Sequence, residues 1–215
     1  MSTQDAASGG GQFAIRTEFN VRPSRGVDFE TLQVDVRAQM GSAQGFVSEV
    51  LLNGLGYPGK YVSISEWESR EAWRTFHRSR GFLDACRSAE ELGGGSRPDE
   101  TYEVAMTIGR LPSVPGAWGQ LVEWSIKTGA ADAFETSRKL LFDLRQRQGG
   151  IFVSKLYRFL GNSSRYLVMQ AYETRDGEKA GRGAADIKEF FAVHPPTNYV
   201  NSAPAGEYFT VMRAG

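Results

Sequence analysis

The chain has 215 residues, 40% of them hydrophobic, enough for one ordinary domain or two small ones with packed cores. Lysine plus arginine and aspartate plus glutamate number 25 each, so the basic surplus that a nucleic-acid partner requires is absent. Cys86 is the single cysteine, which excludes an intramolecular disulfide, and no run of 18 apolar residues is present to cross a membrane.

Met1 to Gln12 is small and polar around a Gly-Gly-Gly run and lacks the basic start and apolar stretch of a signal peptide. Residues 1–11 are therefore expected to be a disordered leader on a soluble cytoplasmic protein. From Phe13 to Val21 apolar and polar residues alternate, the period of a half-buried strand, and Pro23-Ser24 stop it. Phe29, Leu32, Val36 and Met40 then recur at helical spacing within Val27–Met40. Phe46–Leu52 and Lys60–Trp67 read as two strands, a helix is expected from Ser69 to about Ser88, and Thr101–Ile108 closes as a fourth strand. This β-α-β-β-α-β order is the split βαβ, or ferredoxin-like, arrangement.

The same order recurs. Phe29-Glu30-Thr31 returns as Phe134-Glu135-Thr136, an offset of 134 − 29 = 105. Glu18 meets Glu123 in that register, as Gly45 meets Gly150, Leu51 meets Leu156, Tyr61 meets Tyr166 and Glu68 meets Glu173. A register held from residue 18 to 173 identifies a duplication. The chain thus divides into residues 12–110, a linker 111–117 containing Pro112, Pro115 and Gly116, and residues 118–215, where Tyr208–Met212 echoes Tyr102–Met106. Glycines and charges across Thr174–Ala185 predict a short or irregular second helix in the later copy. A four-stranded sheet with helices on one side leaves its other face bare, and two such faces can cover each other. Val62, Ile64, Leu167 and Met169 suit that shared core. Tyr61, Ser63, Ser65 and Trp67, on the opposite face, suit a mixed-polarity cavity under the helices.

The stretch Tyr61-Val62-Ser63-Ile64-Ser65-Glu66-Trp67-Glu68-Ser69, followed by Glu71-Ala72-Trp73, resembles the third strand and helix start of antibiotic biosynthesis monooxygenases. That resemblance implies an α+β fold in which two ferredoxin-like repeats form a dimeric α+β barrel, here within one chain, as a monomer or a further homodimer. It also implies an oxygenase acting on a polycyclic phenolic polyketide with molecular oxygen. In the anthrone-oxidising branch an Asn lies four residues before the strand Trp, a Tyr six after it and an Arg twenty after it. Ser63, Trp73 and Arg87 stand at those positions, so the Arg is kept, the aromatic is kept in kind and the Asn is lost. In the haem-degrading branch a His lies about nineteen residues after the Trp, where Cys86 stands.

The resemblance assigns Trp67, Trp73 and Phe76 to an aromatic slot and Arg87 to the partner of a developing oxyanion. Thr17, Phe19 and Ser63 are expected in the same cavity. His77, on one helical stripe with Trp73 and Phe76, is the first candidate for a base; a core histidine is the competing reading. His194, before Pro195-Pro196, is a weaker candidate. No tightly bound cofactor is expected. Reduced flavin (FMNH2 or FADH2) from a separate flavin reductase is a possible diffusible co-substrate, as in angucycline ring-opening oxygenases of the same superfamily. A non-catalytic binding or sensing module and haem degradation are the alternatives. Gly54-Leu55-Gly56-Tyr57-Pro58-Gly59 matches the dinucleotide fingerprint, but it joins two strands and is read as a hairpin turn. Asn162-Ser163-Ser164 is read as the matching turn of the second copy.

Overall fold

The computed structural model describes residues 12–93, 99–112 and 115–214. The expected leader, and residues 113 and 114 of the linker, lie outside that range. The first half contains β1 (Phe13–Asn20), α1 (Gly26–Gly41), β2 (Phe46–Gly54), β3 (Lys60–Trp67), α2 (Arg70–His77), α3 (Arg80–Glu91) and β4 (Glu100–Gly109). The second repeats it with β5 (Trp118–Ser125), α4 (Ala131–Gln148), β6 (Ile151–Phe159), β7 (Arg165–Tyr172), α5 (Arg175–Gly183), α6 (Ala185–Val193) and β8 (Ala205–Ala214).

The helix expected over Ser69–Ser88 is two helices. Ser69 Oγ accepts the N–H of Ala72 to start α2, and Ser79 Oγ accepts the N–H of Phe82 to start α3, so an internal N-cap breaks the run. The second copy breaks at Ala184, which is Ser79 displaced by 105, and Thr174 caps α5 as Ser69 caps α2. Its glycines do not prevent a nine-residue helix.

All strand pairs are antiparallel, and the order β1-β3-β2-β8-β5-β7-β6-β4 closes on itself. The two sheets therefore do more than stack face to face. β2 pairs with β8 and β4 with β6, so the halves share main-chain hydrogen bonds along both edges and no unpaired edge remains in the barrel. Phe13 opposite Trp67 corresponds to Trp118 opposite Tyr172, an offset of 105. The last strands depart from it. Tyr102 lies opposite Ala14 and Phe209 opposite Gly119, giving 209 − 102 = 107. The expected match of Tyr102–Met106 with Tyr208–Met212 is one residue out of register, and a one-residue slip would turn every side chain to the wrong face. Tyr102 and Phe209 both point into the barrel core.

The retained identities have local causes. Phe29 packs on Tyr61 at 4.7 Å between ring centres while Glu30 accepts the Tyr61 hydroxyl at 2.8 Å; Phe134, Tyr166 and Glu135 repeat this at 5.0 and 2.7 Å. Gly45 and Gly150 both have positive φ and both accept the N–H of the glutamate after the third strand, Glu68 or Glu173. A Cβ on Gly45 would also lie 2.7 Å from that of Ala72. At one end of the barrel the pseudo-twofold is written in charge. Lys60 meets Glu207 at 2.6 Å and Glu18 at 3.6 Å, and its counterpart Arg165 meets Glu100 at 3.1 Å and Glu123 at 3.6 Å.

Inside the barrel, Val62, Ile64, Leu167 and Met169 join Val50, Leu52, Phe209 and Val211 in one buried cluster, as the alternation predicts. One ion pair breaks the symmetry. Lys155 lies 2.6 Å from Glu66, which also accepts from the Tyr157 hydroxyl at 2.8 Å and the Ser48 hydroxyl at 2.7 Å; both charged groups are almost fully buried. Lys155→Met should destabilise the protein by about 3–5 kcal/mol because it strands a buried carboxylate. Adding Glu66→Met should recover most of that loss. Urea unfolding of the single and double variants measures both, and equal stability of the single variant and the parent would refute this role for the pair.

Candidate active site

The outer faces of β1 and β3 present Ile15, Thr17 and Phe19 beside Ser63, Ser65 and Trp67, as strand alternation requires. α1, α2 and α3 lie over them and leave a cavity of about 130 Å³. Seven of the eight residues picked from the sequence line it, namely Thr17, Phe19, Ser63, Trp67, Trp73, Phe76 and His77. Trp67 is fully buried and packs against Phe76 at 5.2 Å and Phe46 at 5.3 Å. The half-buried Trp73 and His77 rings stack at 4.8 Å, and Phe82 closes on His77 at 5.0 Å.

Arg87 is the exception. Its side chain is 71% exposed and pairs with Asp84 on the solvent side of α3. The cavity face of α3 carries Phe82, Ala85, Cys86 and Ala89, at helical spacings of three and four, and residue 87 falls on the other side. Placing it in the cavity by counting from Trp67 is therefore a correction: the oxyanion role has no support in this arrangement. His194 likewise does not line this cavity and stacks on Phe190 at 4.9 Å.

The cavity has an aromatic wall from α2 and α3 and a polar floor from the strands. Trp67 Nε1 donates to Ser65 Oγ at 3.0 Å, which leaves the Ser65 hydroxyl proton available as a donor. Thr17 donates to Asp99 at 2.5 Å and Ser63 to Glu49 at 3.1 Å, so those two oxygens retain lone pairs for an incoming donor. His77 makes no hydrogen bond among the described residues, leaving both ring nitrogens to a ligand. Cys86 also lines the cavity; burial, then Asp99 and Glu90, push its thiol up, so it stays protonated. A protonated thiol is a poor iron ligand, and the volume is well below the few hundred Å³ of a cofactor-sized site, so these residues do not fit haem. Among the described residues no three His, Cys, Asp or Glu side chains converge as metal ligands.

Sequence reading missed Gln33, Asp99 and Phe82. Gln33 interrupts the apolar stripe of α1 and is buried, which is a usable signal. Asp99 precedes β4 and carries no pattern of its own.

The corresponding space in the second half is lined by different side chains. Tyr172, Gln170 and Arg145 stand where Trp67, Ser65 and Met40 line the first cavity. The Arg145 guanidinium donates to Gln170 and, at 2.8 Å, to the Tyr172 hydroxyl. Gln170 in turn donates to Ser154 at 2.9 Å. Burial raises Tyr172 to about 12 against the opposing effect of Arg145. Glu178, in place of Trp73, is buried beside Arg182 at 3.6 Å.

Residues 12–88 match the family model described as antibiotic biosynthesis monooxygenase. No curated protein sequence matches the chain. Among solved structures, a candidate monooxygenase from Fusobacterium nucleatum aligns with a TM-score of 0.82 at 11% identity, covering 96% of this chain and 95% of its own. One from Lactobacillus acidophilus aligns at 0.77 and 8% identity, with 96% of both chains covered. An anthrone oxidase-like protein aligns at 0.62 and 12% identity, over 96% of this chain and 94% of that one. At such identities the likeness is one of fold, and it extends over both halves. Residues 12–88 are thus similar to an antibiotic biosynthesis monooxygenase domain, and a second ferredoxin-like repeat closes them into a barrel.

Proposed function

We propose that the protein is an oxygenase of phenolic polyketide-type aromatics, working in the first-half cavity without a tightly bound cofactor. The observation that carries this reading is the cavity itself, with flat aromatic walls, a hydroxyl floor and a free imidazole, inside the segment that matches the family. Its volume of about 130 Å³ is that of a single-ring ligand. A tricyclic or tetracyclic substrate would insert one ring and leave the others at the mouth beside the exposed Asp99.

Ground-state oxygen is a triplet and reacts slowly with closed-shell organics, but an electron-rich carbanion or phenolate can pass it one electron. His77 would take a proton from the substrate. Thr17 and Ser63 would accept from its phenolic hydroxyl and Ser65 would donate to the developing oxyanion, tasks for which fixed donors in a dry site are effective. For an activated CH2 the radical pair collapses to a hydroperoxide, which loses water to a carbonyl, so CH2 and O2 become C=O and H2O. This route draws no electrons from elsewhere. If the product is a phenol rather than a quinone, two further electrons are needed, and reduced flavin from a separate reductase would supply them.

Oxygen consumption with a tricyclic anthrone, with and without reduced flavin, tests the reading. Turnover is expected without flavin; turnover only with it selects the borrowed-electron version, and binding without turnover in both would favour a sensing module. Trp73→Ala should lower kcat/KM by about tenfold or more through loss of the stacking wall, while Tyr172→Ala in the second half should alter it little. The reverse ranking would move the site. His77→Gln should lower kcat by about a hundredfold, the size of a lost general base, and an unchanged kcat would return His77 to the core. Arg87→Ala should change both turnover and stability only marginally, by less than about 0.5 kcal/mol in unfolding experiments, because its side chain faces water.

A further inference from the structure

The register that relates the halves sets Phe19, Gln33 and Met40 of the first cavity against Trp124, Arg138 and Arg145. Arg138 is only 2% exposed. Its guanidinium lies over the Trp124 ring at 4.9 Å and the Phe134 ring at 5.2 Å. Among the described residues its one side-chain hydrogen bond, to Ser137 Oγ, is stretched to 3.5 Å, and Nε has no partner. The indole Nε1 of Trp124, on the ring that Arg138 covers, is likewise buried and unpartnered. Arg145, the second cation of this space, is held by the neutral Gln170 and Tyr172. Among the described residues no carboxylate is within ion-pair distance of either arginine. The two nearby glutamates are engaged elsewhere, Glu178 with Arg182 and Glu135 with Arg158.

This arrangement is costly without an anion. An unpaired buried ion loses its solvation. Stacking on aromatic rings returns only part of that loss and supplies no acceptor for the N–H groups. Burial, with Arg145 second, lowers the Arg138 pKa to about 10, which still leaves the group charged at neutral pH. The unmet requirements are an acceptor and a negative charge in the same place. Both are properties of one ligand class.

We propose that the second half binds a small oxyanion, a carboxylate or an inorganic phosphate, between Arg138 and Arg145 and beside the Trp124 indole N–H. The first half then holds a neutral aromatic between rings and hydroxyls, while the equivalent space of the second half holds an anion on two guanidinium groups.

The test is a titration of the full chain with sodium acetate and, separately, sodium phosphate at millimolar concentrations and fixed ionic strength. Thermal unfolding and tryptophan fluorescence are the readouts. A saturable rise in Tm with a matching fluorescence change is expected in the parent for at least one anion, and which one responds identifies the source. Arg138→Gln, which installs the first-half residue, should abolish the saturable response while folding normally. General salt stabilisation would raise both proteins alike and so counts against the proposal. Trp124→Phe removes only the N–H among the proposed donors, and should weaken apparent binding by several-fold with the near-ultraviolet dichroism of the fold retained. Should Arg138→Gln fail to fold, this second variant decides. Absence of any saturable response in the parent, a response that Arg138→Gln keeps, or unchanged affinity in Trp124→Phe would each overturn the assignment.

Discussion

The structure depends on one requirement, that the bare apolar face of each four-stranded sheet be covered by the other. Val62 and Ile64 on β3 are buried only because Leu167 and Met169 on β7, with Phe209 and Val211 on β8, complete the same interior. Burying a side chain of this size is worth about 1.5–3 kcal/mol, and either half alone would expose a whole row of them. Edge pairing of β2 with β8 and of β4 with β6 adds the hydrogen bonds that a face-to-face stack would lack. Covalent tandem linkage keeps the two faces at high effective concentration. The second half is thus indispensable to the first, whatever chemistry its own helices cover.

Much of this architecture was legible from the sequence, because it rests on periodicities the chain displays openly. β1 and β3 alternate cleanly, and the Phe-Glu of the first helix recurs because it must hold a tyrosine on the third strand in both halves. Legibility failed where a local irregularity alters the count. Two extra residues enter between Ala184 and β8, so the offset in the last strands is 107 rather than 105 or 106, and the bulges of β4 and β8 fall at equivalent places and leave it unchanged. An identity match between short segments cannot see such insertions; only the ladder can. Closure of the barrel along both edges was implied by the family resemblance, not by any residue pattern.

The site divides in the same way. Residues on strands were placed correctly in space because alternation decides which face a side chain takes: Thr17, Phe19, Ser63 and Trp67 share one surface. Residues placed by counting along a supposedly continuous helix were less secure. Trp73, Phe76 and His77 precede the Ser79 cap and reach the cavity, whereas Arg87 follows it and does not. The stripe Phe82, Ala85, Cys86 and Ala89 was present in the sequence and would have turned Arg87 outward had it outweighed the family spacing. Asp99 could not have been found, since its proximity to Thr17 is created by β4 lying beside β1.

The two spaces under the helices are equivalent by position and opposite in character, and the barrel wall connects them. Gln170, which holds Arg145 in the second half, bonds to Ser154 on β6; the next residue, Lys155, points inward to Glu66, and Glu66 lies between Ser65 and Trp67 of the first cavity. Such a chain of contacts invites the idea of communication between the sites. Communication, however, requires an element with two arrangements of similar energy. Glu66 has the opposite case: Lys155, Tyr157 and Ser48 occupy both of its oxygens, and both charges of the pair are buried, so any second arrangement would strand an ion in the core. The route is a brace. It fixes the strand that carries Ser65 and Trp67 against the other half, and in doing so lets the second half change the polarity of its own compartment without disturbing the first.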